Sequence, residues 1–147
     1  PLFFPPHERG VDLCVEAGTK YLCGHADLLL GLVSANAAWS KRLRETYDAL
    51  AICAGSDDAY LALRGLRTME LRLREQERAG LELARWLGHR EEVARVLHPA
   101  LPSHPDHALW KRDFSGAAGL FSIILRPVPK ASLRAATLWK SPRTMTQ

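Results

Sequence analysis

Apolar and polar positions change period several times along the chain, and each change predicts an element. Val11-Asp12-Leu13-Cys14-Val15-Glu16 alternates with a period of two, which predicts a short strand ended by Gly18. Thr19 to His25 shows no period and carries a further glycine, so it reads as a loop. Leu28 to Val33 is a continuous apolar run and predicts a strand buried on both faces, as in an α/β sheet. Ala37 to Cys53 is compatible with helix. Ala59 to Trp86 is the strongest helical stretch. Leu63, Leu66, Met69 and Leu73 step by three and four, and Leu81, Ala84 and Leu87 resume the stripe. Its Arg and Glu residues, with pairs such as Glu70/Arg74, read as a solvated face. Gly65 and Gly80 oppose the helix by ~1 kcal/mol each relative to Ala. Val93 to Leu97 alternates again and leaves through His98-Pro99, and Pro99, Pro102 and Pro105 mark a loop. Gly119 to Leu125 predicts the last strand. Strands separated by helices imply a mixed α/β class.

Composition narrows the setting. The chain has 147 residues, 47% hydrophobic and 24% charged, enough for one compact domain of a globular protein. No apolar run approaches the ~18 residues of a membrane span. Pro1 to Pro6 has no basic leader, so no signal peptide is expected. The absence of an initiator Met suggests a chain that begins inside a longer protein. Cys14, Cys23 and Cys53 form no CxxC pair and read as buried free thiols in a reducing, cytoplasmic setting, with no metal site. The net charge of +4 does not point to nucleic acid. All sixteen acidic residues precede position 126, and from there on Arg126, Lys130, Arg134, Lys140 and Arg143 stand without an acid. The basic excess belongs to the tail, whereas a nucleic-acid footprint needs a basic face on the folded body.

One segment carries candidate chemistry: Asp12-Leu13, then after three residues Ala17-Gly18-Thr19-Lys20-Tyr21-Leu22-Cys23-Gly24-His25-Ala26-Asp27. It resembles the cofactor-attachment motif of the cystathionine β-lyase and γ-synthase group of enzymes, which use pyridoxal phosphate (PLP) in Cys/Met metabolism. Further blocks are similar to that family in order and spacing. They are Arg64-Gly65-Leu66-Arg67-Thr68, expected to open the long helix, then Val93 to Pro102, Trp110-Lys111-Arg112-Asp113-Phe114-Ser115-Gly116, and Gly119-Leu120-Phe121. The Trp-Lys-Arg-Asp-Phe block favours the β-lyases over the γ-acting enzymes.

The resemblance implies a fold-type I α/β architecture in parts: 1–58 the end of the large PLP-binding domain, 59–88 a long connecting helix, 89–130 the start of the smaller C-terminal domain, and 131–147 a divergent basic tail. It implies that Lys20 condenses with the cofactor aldehyde and that Thr19 binds the cofactor phosphate. A free lysine, with a pKa of ~10.4, is largely protonated at neutral pH, so the chemistry needs burial or cationic neighbours. His25 reads as a hydrogen-bonded structural histidine and Tyr21 as a core aromatic. The activity implied is β-elimination of L-cystathionine to homocysteine, pyruvate and ammonia, with γ-elimination or γ-synthesis as the alternative. A homo-oligomeric parent enzyme is also implied.

Two positions depart from the motif: Ala17 stands where a phosphate-binding serine is common, and Ala26 where a small polar residue is common. The family's ring-pairing aspartate would lie before Pro1, and its carboxylate-binding arginine would lie beyond the matched blocks. Ala131 to Gln147 is basic and unpatterned, as an altered or frameshifted terminus would be. The other expectation is therefore a non-catalytic fragment of such an enzyme.

Overall fold

The computed structural model describes residues 2–127. After a short 3-10 turn at His7–Arg9, the elements run β1 (Leu13–Ala17), β2 (Gly31–Ala35), α1 (Ala37–Leu50), α2 (Ser56–Leu66), α3 (Met69–Gly88), β3 (Val93–Leu97), α4 (His107–Asp113) and β4 (Ser122–Leu125). The strands form two separate antiparallel pairs. β1 pairs β2 with Leu13 opposite Ala35 and Ala17 opposite Gly31. β3 pairs β4 with Leu97 opposite Ser122, and the register slips between Val93 and Arg95.

Local chemistry explains the ends of the helices. Asn36 caps α1: its Oδ1 accepts the Trp39 N–H at 3.1 Å, while its Nδ2 donates to Asp12 Oδ1 at 2.8 Å. α2 starts after Gly55 with Asp57 and Asp58 in its first turn, where carboxylates complement the helix dipole. α3 carries Glu70 in its first turn and Arg85 in its last.

The core consists of two small clusters. Ala84, Val93, Val96 and Leu101 pack together, joined by Leu81, Leu87 and Phe121. Cys23, Leu28 and Ala62 form the second cluster, against Leu22, Leu30 and Leu61. The predicted stripe of Leu81, Ala84 and Leu87 is thus the face that α3 lays on β3.

The structure corrects several expectations. Ala59 to Trp86 is not one helix: the chain breaks at Arg67–Thr68, and Arg64 to Thr68 ends α2 instead of opening a long helix. The Thr68 N–H and Oγ1 both donate to Gly65 O, each at 3.2 Å, which turns the chain there. Leu63 and Leu66, expected in the stripe, are exposed because the break rotates them away from α3's buried face. The run Leu28 to Val33 is not a doubly buried strand either. Leu28 plugs the second cluster, Leu29 is 89% exposed, and the strand begins only at Gly31 with β1 as its single partner. α4 lies in the region read as a proline loop, because Pro105 precedes the helix and leaves its N–H ladder intact. Of the three free thiols only Cys23 is buried; Cys14 is half-buried and Cys53 exposed. Among the described residues no helix is long and apolar enough to cross a membrane. The tail expected over 131–147 lies outside the described residues.

Candidate active site

Residues 18–30 join β1 to β2 and carry Lys20. The first half of this loop winds into a helical turn. The Lys20 N–H donates to Ala17 O at 3.2 Å, the Cys23 N–H to Gly18 O at 2.9 Å and the Gly24 N–H to Lys20 O at 2.9 Å. Gly24 ends the turn at φ +72°, a left-handed conformation that glycine adopts without strain. The carbonyls left over at the C-terminal end of the turn find side chains. Arg72 Nη1 donates to Tyr21 O at 2.8 Å and Nη2 to Leu22 O at 3.3 Å. His25 Nδ1 lies 2.9 Å from Cys23 O; a carbonyl only accepts, so Nδ1 carries the hydrogen. His25 therefore has the structural bond expected of it. Thr19 holds the two ends of the loop together: its Oγ1 accepts the Leu30 N–H at 2.8 Å and donates to Leu30 O at 3.4 Å.

The Lys20 side chain leaves this turn exposed, and among the described residues its ammonium has no hydrogen-bond or ion-pair partner. It lines two concavities. One, of about 780 Å³, has a largely apolar wall that includes Ala17, Tyr21, Leu73, His98 and Trp110. The other, of about 710 Å³, is bounded by Thr19, Gly24, His25, Asp27 and Leu29. Tyr21 is half-buried on the first wall, not a core aromatic.

Charges around the loop are fixed by arginines. Arg64 bonds Asp27 and holds its carboxyl below the usual carboxylate range. Burial pushes the Cys23 thiol up; Asp27 adds to this and Arg72 opposes it. On the far wall burial pushes the His98 imidazole down, helped by His104 and opposed by Glu77. His98 is 1% exposed, and its Nε2 has no partner among the described residues.

Two contributors escape sequence reasoning. Arg72 is not part of a solvated face; it is half-buried and its guanidinium ties the Lys20 loop to α2 and α3. Arg64 pairs with Asp27 across the loop's second half. The segments singled out in the sequence contain both Arg64 and Asp27, but nothing in them shows that the two pair.

The family model of Cys/Met metabolism PLP-dependent enzymes matches residues 1–143. A Saccharomyces cerevisiae protein with a provisional cystathionine beta-lyase name is 58% identical over 126 residues, which is 86% of this chain and 37% of that protein. The cystathionine beta-lyase of Salmonella typhimurium is 44% identical over 135 residues, covering 91% of this chain and 34% of the enzyme. Among solved structures, the cystathionine gamma synthase of Xanthomonas oryzae pv. oryzae in complex with cystathionine superposes with a TM-score of 0.79 at 35% identity. That match covers 85% of this chain and 33% of the synthase. The chain thus spans about a third of the length of the relatives it matches.

Proposed function

Because the chain belongs to the Cys/Met metabolism PLP-dependent enzyme family, we propose that it carries the cofactor-binding lysine, Lys20, of a carbon–sulfur lyase. The reaction proposed is β-elimination of L-cystathionine, releasing homocysteine, pyruvate and ammonia. The cystathionine beta-lyase name of the similar proteins supports this choice within the family. Since the chain spans about a third of those relatives, the activity is proposed for these residues joined to the rest of such an enzyme. On this reading 1–58 closes the large domain, α3 connects, and 89–130 opens the smaller one.

The residues present fit the cofactor. A lysine amine with no partner among the described residues, beside a cavity with an apolar wall, suits covalent attachment of an aldehyde. At the phosphate end the fit is narrower. Thr19 Oγ1 already accepts the Leu30 N–H, but its own hydrogen faces Leu30 O at 3.4 Å. That is a long contact, and a charged phosphate oxygen competes well for such a hydrogen. Ala17 offers no hydroxyl. When bound, pyridoxal phosphate supplies an electron sink beside the substrate α-carbon. Lys20 Nζ anchors the cofactor and, once free, takes the proton from that α-carbon. Tyr21, Leu22 and Leu73 supply apolar wall to the volume Lys20 lines.

The observation that carries the proposal is the Lys20 amine, without a partner among the described residues, on a turn whose last carbonyls, Lys20 O to Cys23 O, are all bonded. Borohydride reduction in the presence of pyridoxal phosphate should fix label on the Lys20 peptide. Label confined to other lysines removes the assignment. In the full-length enzyme, pyruvate as product supports β-elimination, and 2-oxobutyrate would move the reading to γ-elimination.

A further inference from the structure

We infer that Arg72 is a positioning residue for Lys20, a three-carbonyl clamp that fixes the direction in which the lysine leaves its turn. The inference rests on the proposed role of Lys20 and goes beyond it to a residue on another element.

A helical turn leaves its last carbonyls without intrahelical partners, and a cation near that end is favourable. In the Lys20 turn every one of these carbonyls is taken. Lys20 O accepts from Gly24 N, Tyr21 O and Leu22 O from Arg72, and Cys23 O from His25. Arg72 supplies the two bonds that reach out of the loop.

The same guanidinium is anchored behind. Its Nη2 also donates to Gly65 O at 2.8 Å, and its Nε donates to Thr68 Oγ1 at 3.1 Å. The fork therefore spans the turn on one side and the α2–α3 break on the other. The break places Arg72 there: α3 restarts at Met69, and the Arg72 N–H bonds Thr68 O at 3.1 Å. Two glycines make room. A Cβ on Gly24 would overlap the Arg72 guanidinium, and one on Gly65 would overlap the Cys23 carbonyl. Tyr21 and Leu22 directly follow Lys20, so Arg72 holds the two peptides next after the lysine's own, in the turn from which Lys20 lines both concavities. A planar guanidinium with donors in fixed directions holds both peptides at once; a lysine ammonium at position 72 is a point charge without that fork.

The test labels the 147-residue chain with pyridoxal phosphate and borohydride and compares label at Lys20 with label at Lys41. Lys41 is 88% exposed on α1, far in sequence from the clamp, and serves as the internal reference. Burial of the Cys23 thiol, read as its alkylation rate against the exposed Cys53, reports separately whether the loop stays packed. The parent chain should favour Lys20. Arg72→Lys should lower the Lys20/Lys41 ratio at least tenfold while Cys23 stays protected within about threefold. Arg72→Gly should lower the ratio as far, and added guanidinium ion should restore it. An unchanged ratio in both variants overturns the inference and leaves the Lys20 assignment standing. A ratio that falls only in step with Cys23 exposure overturns it in favour of a merely structural role. A parent chain that shows no preference for Lys20 overturns the Lys20 assignment, and this inference with it.

Discussion

Gly65→Ala is the sharpest perturbation of the loop's support. In the last turn of α2, alanine alone favours helix by about 1 kcal/mol over glycine. Against this, the new Cβ would lie inside the Cys23 carbonyl group, which is backbone and has no rotamer to give way. The loop must back off. That separates Cys23 from Leu28 and Ala62 and stretches the guanidinium bonds that Tyr21 O and Leu22 O share with Gly65 O. Overpacking costs about 1–3 kcal/mol and loss of a hydrogen bond to a charged group about 1.5–3 kcal/mol. With the helix gain subtracted and the bonds only weakened, the net loss is about 2–3 kcal/mol. This multiplies the open population of the loop roughly 30- to 150-fold. Cys23 is 1% exposed, so its alkylation rate measured against Cys53 in the same chain reads that population without requiring cooperative global melting. Gly31→Ala is the matched control, because no atom lies within 4 Å of its would-be Cβ. If Gly65→Ala leaves Cys23 as protected as in the parent, the close approach of α2 to the Lys20 loop is not what holds the loop.

Acid should loosen the end of β3 through His98, whose imidazole burial holds below its ordinary pKa of 6.5. The unfolded chain then binds the proton more readily, so this contribution is intact above pH ~6.5 and is lost as pH falls toward the depressed folded-state value. Hydrogen-exchange protection of Val96 and Leu101 should drop over that window, and His98→Phe should remove the drop. The 147 residues alone should self-associate, because Leu13, Val15 and Val33 share an exposed face of the β1–β2 pair, with Val15 76% exposed and opposite Val33. Light scattering checks this, Val15→Lys should reduce it, and a monodisperse monomer with a cooperative melt would contradict it.

How far the sequence could be read depended on the kind of signal. β3 matched its predicted span, Val93 to Leu97, although its buried residues, Val93 and Val96, lie three apart across the register slip between Val93 and Arg95, so the alternation read in the sequence marked the strand's place and not its faces. The Lys20 loop was legible as a loop from its lack of period and its glycines. The helix break was not: Leu66, Met69 and Leu73 keep helical steps straight through it, and periodicity cannot register a turn that preserves them. Gly65 was the only local warning, and its reason is a contact with Cys23, forty-two residues earlier in the chain. Arg72 was illegible for a similar reason. On a helix rich in Arg and Glu, nothing in its neighbours distinguishes it from Arg74 or Arg78, whose guanidiniums pair with Glu70, Glu75, Glu77 and Glu82 along the same helix. Only the distant carbonyls of Tyr21 and Leu22 separate them. Leu28 to Val33 misled because an apolar run does not say which of its residues plug a cluster and which enter a strand.

The polar and apolar halves of this structure close at different ranges, and the difference bears on what the chain can do by itself. Among the described residues, the bonds that organise the Lys20 turn are made within residues 17–30 or by Gly65, Thr68 and Arg72. The apolar surfaces close less well: α1 has no buried residue, and Leu13, Val15, Leu29 and Val33 stay exposed on and beside the β1–β2 pair. Hydrophobic burial is the main source of global stability, whereas hydrogen bonds mostly fix geometry at modest net gain. A chain about a third the length of its relatives can therefore hold the geometry around its lysine locally while lacking cover for its sheet. This is why the experiments on Lys20, Arg72 and Gly65 read local reactivity and not global unfolding: the site's order and the domain's stability rest on different residues.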